Sequence, residues 1–218
     1  LTETLKMEQN DIMKKGPKIY RLLILFILLT SIDCLKKQEL QNTSAVPVEC
    51  VGNRKEMENY LKSKWGSDYN MKEFNEITSI TDDQGTTDDK ILGYTCCFPN
   101  LTSLTASRST NITDAGVAKF VECRLRNNSQ KMGEINFQAT SITNASIKSL
   151  SELKDVGDFY LDENRINNDS IPYFARFKSI GQLSIVATGI TPEGAEKLRK
   201  MKHIHGVDSE YHVPANQE

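Results

Sequence analysis

The stretch LSIVATGITPEGAEKLRKMKHIHG, residues 183–206, begins with apolar and polar residues in alternation, crosses an Ala-Thr-Gly turn and continues with apolar residues at every third or fourth position. Alternation is the period of a strand and the longer spacing that of a helix. The same order stands in the 24 residues before it, FYLDENRINNDSIPYFARFKSIGQ (159–182), and in the 24 before those, INFQATSITNASIKSLSELKDVGD (135–158). No gap is needed. Ile135, Phe159 and Leu183 share one column, Phe137, Leu161 and Ile185 the next, and Ile142, Ile166 and Ile190 a third. Ile147, Ile171 and Ala195, then Leu150, Phe174 and Leu198, then Leu153, Phe177 and Met201, and finally Val156, Ile180 and Ile204 complete seven apolar columns. Self-similarity at a period of ~20–50 residues predicts a solenoid, in which each copy buries its apolar side only by stacking on its neighbours.

A looser copy, LTASRSTNITDAGVAKFVECRLRNNSQKMGE (104–134), precedes these three. Leu104 and Ala106 take its first two columns, Ile112 the third, and Val117 and Phe120 the helical ones; extra residues before Ile112 and near Asn127 and Asn128 belong on loops. Val207, 24 residues after Leu183, predicts a final edge strand. Before the central Ile stand Thr110, Thr140, Asn164 and Thr188, polar groups suited to satisfying turn backbone. After it stand Thr113, Thr143, Asn167 and Thr191, which predict helix N-caps, followed by Asp114 near one positive helix end and by Pro192 at another first helical position. Pro172 would remove a hydrogen bond from a helix begun at Asn168, so that helix is expected to start near Ser170.

The unit LxLxxTxITDxGLxxLxxL, seen best in NITDAGVAKF and ATGITPEGAEKL, resembles a leucine-rich repeat of 24 residues, of the kind found in bacterial proteins and related to the cysteine-containing repeats of F-box adaptors. The resemblance covers residues 101–208. It implies an α/β fold: a right-handed leucine-rich-repeat solenoid with parallel strands on the concave side, helices on the convex side and an N-terminal capping region. The outward residues between the strand apolars would then form the binding surface. These are Asn136 and Gln138, Tyr160 and Asp162, and Ser184 and Val186, with Arg108 and Glu163 at its margin. The implied partner is a protein ligand.

Ahead of the repeats, RKEMENYLKSKWG places Met57, Tyr60, Leu61 and Trp65 on one helical face, with Gly66 as a stop. The Asp- and Thr-rich TSITDDQGTTDDK reads as loop, and ILGYTCCF (91–98) as a strand. Residues 35–100 form the tether and cap region, and 209–218 a tail. Cys123 aligns with Leu153 and reads as a buried apolar substitute. Cys50, Cys96 and Cys97 remain, two of which can pair to fasten the N-terminal segment to the first copy. Six Asn-x-Ser/Thr triplets begin at Asn42, Asn100, Asn111, Asn127, Asn144 and Asn168; three lie at repeat turns, where such residues serve as turn and cap groups, and that reading is preferred.

Farthest out, LLILFILLTSI (22–32) follows Lys14, Lys15, Lys18 and Arg21, with Met13 as a natural start. A basic segment and a short apolar one predict an export signal, too short to span a bilayer, which takes ~20 apolar residues. Residues 1–34 are therefore read as an upstream extension plus signal. Cys34 directly after the apolar run resembles a lipoprotein acceptor, although Asp33 and Ser31 depart from that pattern; cleavage after Ser31 competes, so membrane attachment through an N-terminal lipid stays open. A formal net charge of -2 supplies no footprint for nucleic acid. No nucleophile elbow, phosphate loop or metalloprotease motif occurs, and His203, His205 and His212 form only a weak pattern. No catalytic residue, cofactor or metal ligand is assigned. The expectation is an exported, non-catalytic interaction module. Its rivals are a structural or accessory envelope protein, or an intracellular F-box-like adaptor if the signal is unused.

Overall fold

The computed structural model describes residues 48–210. The predicted export segment with Cys34, most of the tether with Asn42, and most of the tail, with His212, lie outside the described residues. In chain order the elements are α1 (Val48–Gly52), α2 (Arg54–Trp65), β1 (Ser79–Asp82), α3 (Asp89–Tyr94), β2 (Ser103–Ala106), α4 (Asp114–Arg126), β3 (Lys131–Asn136), α5 (Asn144–Leu150), β4 (Asp155–Tyr160), α6 (Ile171–Phe174), β5 (Ser179–Ser184), α7 (Pro192–Arg199) and β6 (Ile204–Asp208). Short 3₁₀ turns span Phe74–Glu76, Thr95–Cys97 and Asn168–Ser170. The fold is α/β.

All six strands are parallel and lie in sequence order in a single sheet. Ile80 pairs with Leu104, Leu104 with Ile135, Ile135 with Phe159, Phe159 with Leu183, and Leu183 with Val207. From Leu104 to Ile204 the columns read from the sequence are thus neighbours across the sheet. These side chains share one core with the helix residues Leu92, Val117, Phe120, Ile147, Leu150, Phe174, Ala195 and Leu198. Parallel strands joined by helical crossovers bury one side of the sheet under the helices. The other side carries the partly exposed Glu134, Asn136, Tyr160 and Gln182 and the exposed Asp158.

Two assignments change. The segment read as loop contains β1, and the segment read as a strand, 91–98, forms α3 and the 3₁₀ turn after it. Within it the buried Ile91 and Leu92 recur four positions on as Thr95 and Cys96, a helical spacing, before the buried Cys97 and Phe98. Asp88 caps that helix by accepting from the Ile91 N–H. The sheet consequently begins at Ser79, ahead of residue 101.

Proline placement behaves as its chemistry dictates. Pro192 opens α7, where no N–H is needed, and Pro172 lies in the first turn of α6, which is reduced to four residues after a 3₁₀ start. Gly66 ends α2 with φ 102°. Among the described residues no helix is long and apolar enough to cross a membrane.

Candidate functional site

The turn leaving each strand sets the rim of the sheet. One residue of that turn is left-handed in every unit from β1 to β5: Gly85, Arg108, Ala139, Glu163 and Ala187, with φ of 75°, 60°, 54°, 57° and 55°. L-residues carry a cost there of roughly 1–2 kcal/mol, and neighbouring turns compensate by hydrogen bonding to one another. Arg108 N–H donates to the Gln138 carbonyl, Ala139 N–H to Asp162, and Glu163 N–H to Val186. Only the first position uses glycine, because a Cβ on Gly85 would approach the Arg108 carbonyl oxygen to 2.5 Å.

Beneath that rim the polar turn column works as a brace. Asn164 donates to the carbonyls of Phe137 (2.7 Å) and Leu161 (3.0 Å), and its Oδ1 accepts from Thr140 N–H and hydroxyl. Thr188 donates to Ile185. In the first unit Asp82 takes an apolar column instead. Its buried carboxylate accepts from the N–H groups of Gln84, Thr86 and Thr87 and from the hydroxyls of Thr86 and Thr87. Burial alone would raise this carboxyl, but those donors outweigh it and hold the group below its ordinary value.

At the opposite end of each turn runs a second ladder. Asp88, Thr113, Thr143, Asn167 and Thr191 cap the five helical segments with their own side chains. The residue after each of the first four caps reaches to the cap of the next unit. Asp89 accepts from Thr113 N–H (2.8 Å) and hydroxyl (2.6 Å), and Asp114 from Thr143 N–H (2.9 Å) and hydroxyl (2.7 Å). Asn144 accepts from Asn167 N–H and donates to its Oδ1, and Asn168 does the same toward Thr191. Glycine makes room where the ladder passes: a Cβ on Gly116 would lie 1.9 Å from Asp89 Oδ1, and one on Gly194 2.1 Å from Asn168 Oδ1. Ser146 stands at the equivalent place in α5 and donates to Asp114 instead. For Asp114 too, burial pushes the carboxyl up, but the Ser146 and Thr143 donors bring it below its ordinary value.

The open sheet face precedes both ladders in each unit, and the residues read as a contact surface divide there. Ser184 hydroxyl (2.7 Å) and Val186 N–H (2.6 Å) both donate to Asp162, so these three form an internal clasp. Burial raises the Asp162 carboxyl above its ordinary value despite those donors, with Asp208 and Glu163 adding repulsion. Gln138 donates from Nε2 to Glu163 and from its N–H to Asn136 Oδ1. Arg108 is exposed at its left-handed turn. Tyr160 sits between Asn136 and Ser184 in the strand register. Burial raises its phenol, as do the carboxylates of Asp158, Glu134 and Asp162 around it. A neutral hydroxyl amid carboxylates can donate a hydrogen bond and offer a rigid aromatic surface.

The cysteines form a separate cluster. Cys50 is bonded to Cys97, and Cys96 to Cys123. Cys123 is fully buried, as its column requires, but it is a disulfide partner rather than an apolar substitute. Beside it Arg124 is wholly buried, its guanidinium donating to the carbonyls of Thr95, Phe98 and Leu101. Burial pushes it down to about 10, which leaves it charged at neutral pH. Nothing in the repeat pattern singles it out. Near β1 a groove of about 250 Å³ is lined by Trp65, Tyr69, Ile77, Ile80 and Phe98.

Among the described residues no group of three or more His, Cys, Asp or Glu could hold a metal ion. His203 bonds the Phe174 carbonyl and His205 the Ser179 hydroxyl. No protein-family model matches the sequence, and no curated protein matches it significantly.

Proposed function

We propose that this chain is an exported leucine-rich-repeat-like solenoid that acts as a non-catalytic protein-binding module through its open sheet face. Support for the repeat comes from the coincidence of the 24-residue columns with the strand register, from Leu104 through Ile135, Phe159 and Leu183 to Val207. Support for export comes from the basic-then-apolar residues 13–34 and from two disulfides, which persist in oxidising compartments. The observation that carries the binding reading is Tyr160, the last residue of β4, between Asn136 and Ser184 in the register and near the carboxylates of Glu134 and Asp158. Aromatic side chains give large contact area at small entropic cost, so they concentrate binding energy in a protein interface.

The test uses Tyr160→Ala and Asp158→Arg, because Asp162 and Ser184 are engaged in holding the turn. Full-length protein and both variants are used to capture partners from surface extract of the source cells, and melting temperatures are compared. Loss of capture with unchanged melting supports the face, whereas equal capture by all three proteins sinks it. Mass spectrometry of the mature N-terminus decides export and whether Cys34 carries a lipid.

A further inference from the structure

Five of the six Asn-x-Ser/Thr triplets lie among the described residues, and their side chains are not equivalent. Asn100 donates from Nδ2 to the Asn75 carbonyl (2.7 Å) and Asn127 to the Cys96 carbonyl (3.1 Å). Asn144 donates to Asn167 Oδ1 (2.7 Å) and Asn168 to Thr191 Oγ1 (3.0 Å), both within the ladder that joins successive helix caps. Asn111 differs from all four. It is exposed, as Asn100 and Asn168 are, but among the described residues its side chain makes no hydrogen bond.

We propose that Asn111 is an N-glycan attachment site, an assignment that rests on the exported reading and on passage through a glycosylating lumen. The chemistry fits Asn111-Ile112-Thr113, a triplet of the Thr type. The amide nitrogen attacks the anomeric carbon of a lipid-pyrophosphate-linked oligosaccharide. A C–N bond forms, the C–O bond to pyrophosphate breaks, and the displaced amide proton passes to base as the lipid pyrophosphate leaves.

Folding then filters the products. In the folded chain Thr113 hydroxyl is committed to Asp89 at 2.6 Å, so transfer takes place on the extended chain before that bond closes. A glycan on Asn111 leaves every hydrogen bond of the fold intact, because its amide serves none. A glycan on Asn144 enters the junction with Asn167. On Asn168 it meets a site already so tight that one extra carbon on Gly194 would lie 2.1 Å from Oδ1. Chains modified at either position are expected to misfold and be retained.

The experiment expresses the full chain in eukaryotic secretory cells, once with its own N-terminus and once behind an added cleavable leader. Secreted protein is deglycosylated enzymatically in heavy-oxygen water, which tags each formerly modified Asn as a heavy Asp. The expected result is a tag at 111 and none at 144 or 168. Asn111→Gln should lose one electrophoretic step without a change in melting, and Thr113→Ser should keep that step. A tag at 111 only in the leader arm supports the acceptor and refutes export by the chain's own N-terminus. An untagged 111 in secreted leader-arm protein, or tags at 144 or 168 in folded product, overturns the proposal.

Discussion

The first strand–helix units and the last three are fastened by different means. From β3 onward each unit repeats the same apolar columns and the same braced turn, while the cap ladder runs through all units from Asp89 to Thr191. Toward the N-terminus the columns admit Asp82, the helix α3 ends in a 3₁₀ turn, and two disulfides converge on the adjacent Cys96 and Cys97. Arg124 adds a charge buried against three carbonyls. A unit in the middle of a stack is held on both sides, and one at the end is held on one side only. Covalent links and a buried cation replace the missing neighbour.

The largest effect should come from the disulfides, if that contrast is correct. Chain-entropy estimates for closing loops with sequence separations of 47 and 27 give about 3.5–4 kcal/mol each. Paired Cys→Ala variants, followed by denaturant unfolding and amide exchange, should show residues 48–126 losing protection before residues 155–208. Simultaneous loss along the whole chain would break the comparison. Arg124→Ala should cost about 3 kcal/mol, since it opens a cavity and strips a charged donor from the carbonyls of Thr95, Phe98 and Leu101, of which Thr95 and Phe98 keep a backbone N–H. Calorimetry of that variant checks the figure.

In the regular half, Leu161→Ala is expected to cost about 3 kcal/mol as a core truncation. A loss under ~1 kcal/mol would contradict its inward place. Asp114→Ala should cost about 2 kcal/mol at neutral pH by stripping the Thr143 and Ser146 donors. Its folded carboxyl is held below the ordinary 3.8, so this contribution is complete above that value and is lost as pH falls through the folded value. Asp114→Asn should cost less than ~1 kcal/mol and remove the pH dependence, because Asn144 and Asn168 already perform the same task one and two units on. Urea midpoints between pH 2 and 7 separate the two variants.

The same contrast explains what the sequence disclosed. Apolar columns such as Ile135, Phe159 and Leu183 are visible because a repeated core needs repeated residues. β1 was hidden because Asp82 fills an apolar column and recovers its burial cost from hydrogen-bond donors that follow it. The pairing of Cys123 was obscured by a place in the pattern that an apolar residue fills equally well. Of the surface residues, Asn136 and Tyr160 follow from strand alternation. The clasp of Asp162 with Ser184 and Val186 does not, because it depends on how one turn meets the next unit.

Pro192 occupies the position that Asp89, Asp114, Asn144 and Asn168 hold in the earlier units. It starts a helix as well as they do, but it has no side-chain oxygen or amide to reach toward another cap. The ladder therefore has a direction, each residue reaching forward, and among the described residues its contacts stop at the Thr191 cap. Tandem duplication of the 24-residue unit at the C-terminus would produce a seam with no cap contact across it. An Asp or Asn at 192 would restore a side chain able to make that contact, so the loss of the ladder there rests on this one residue.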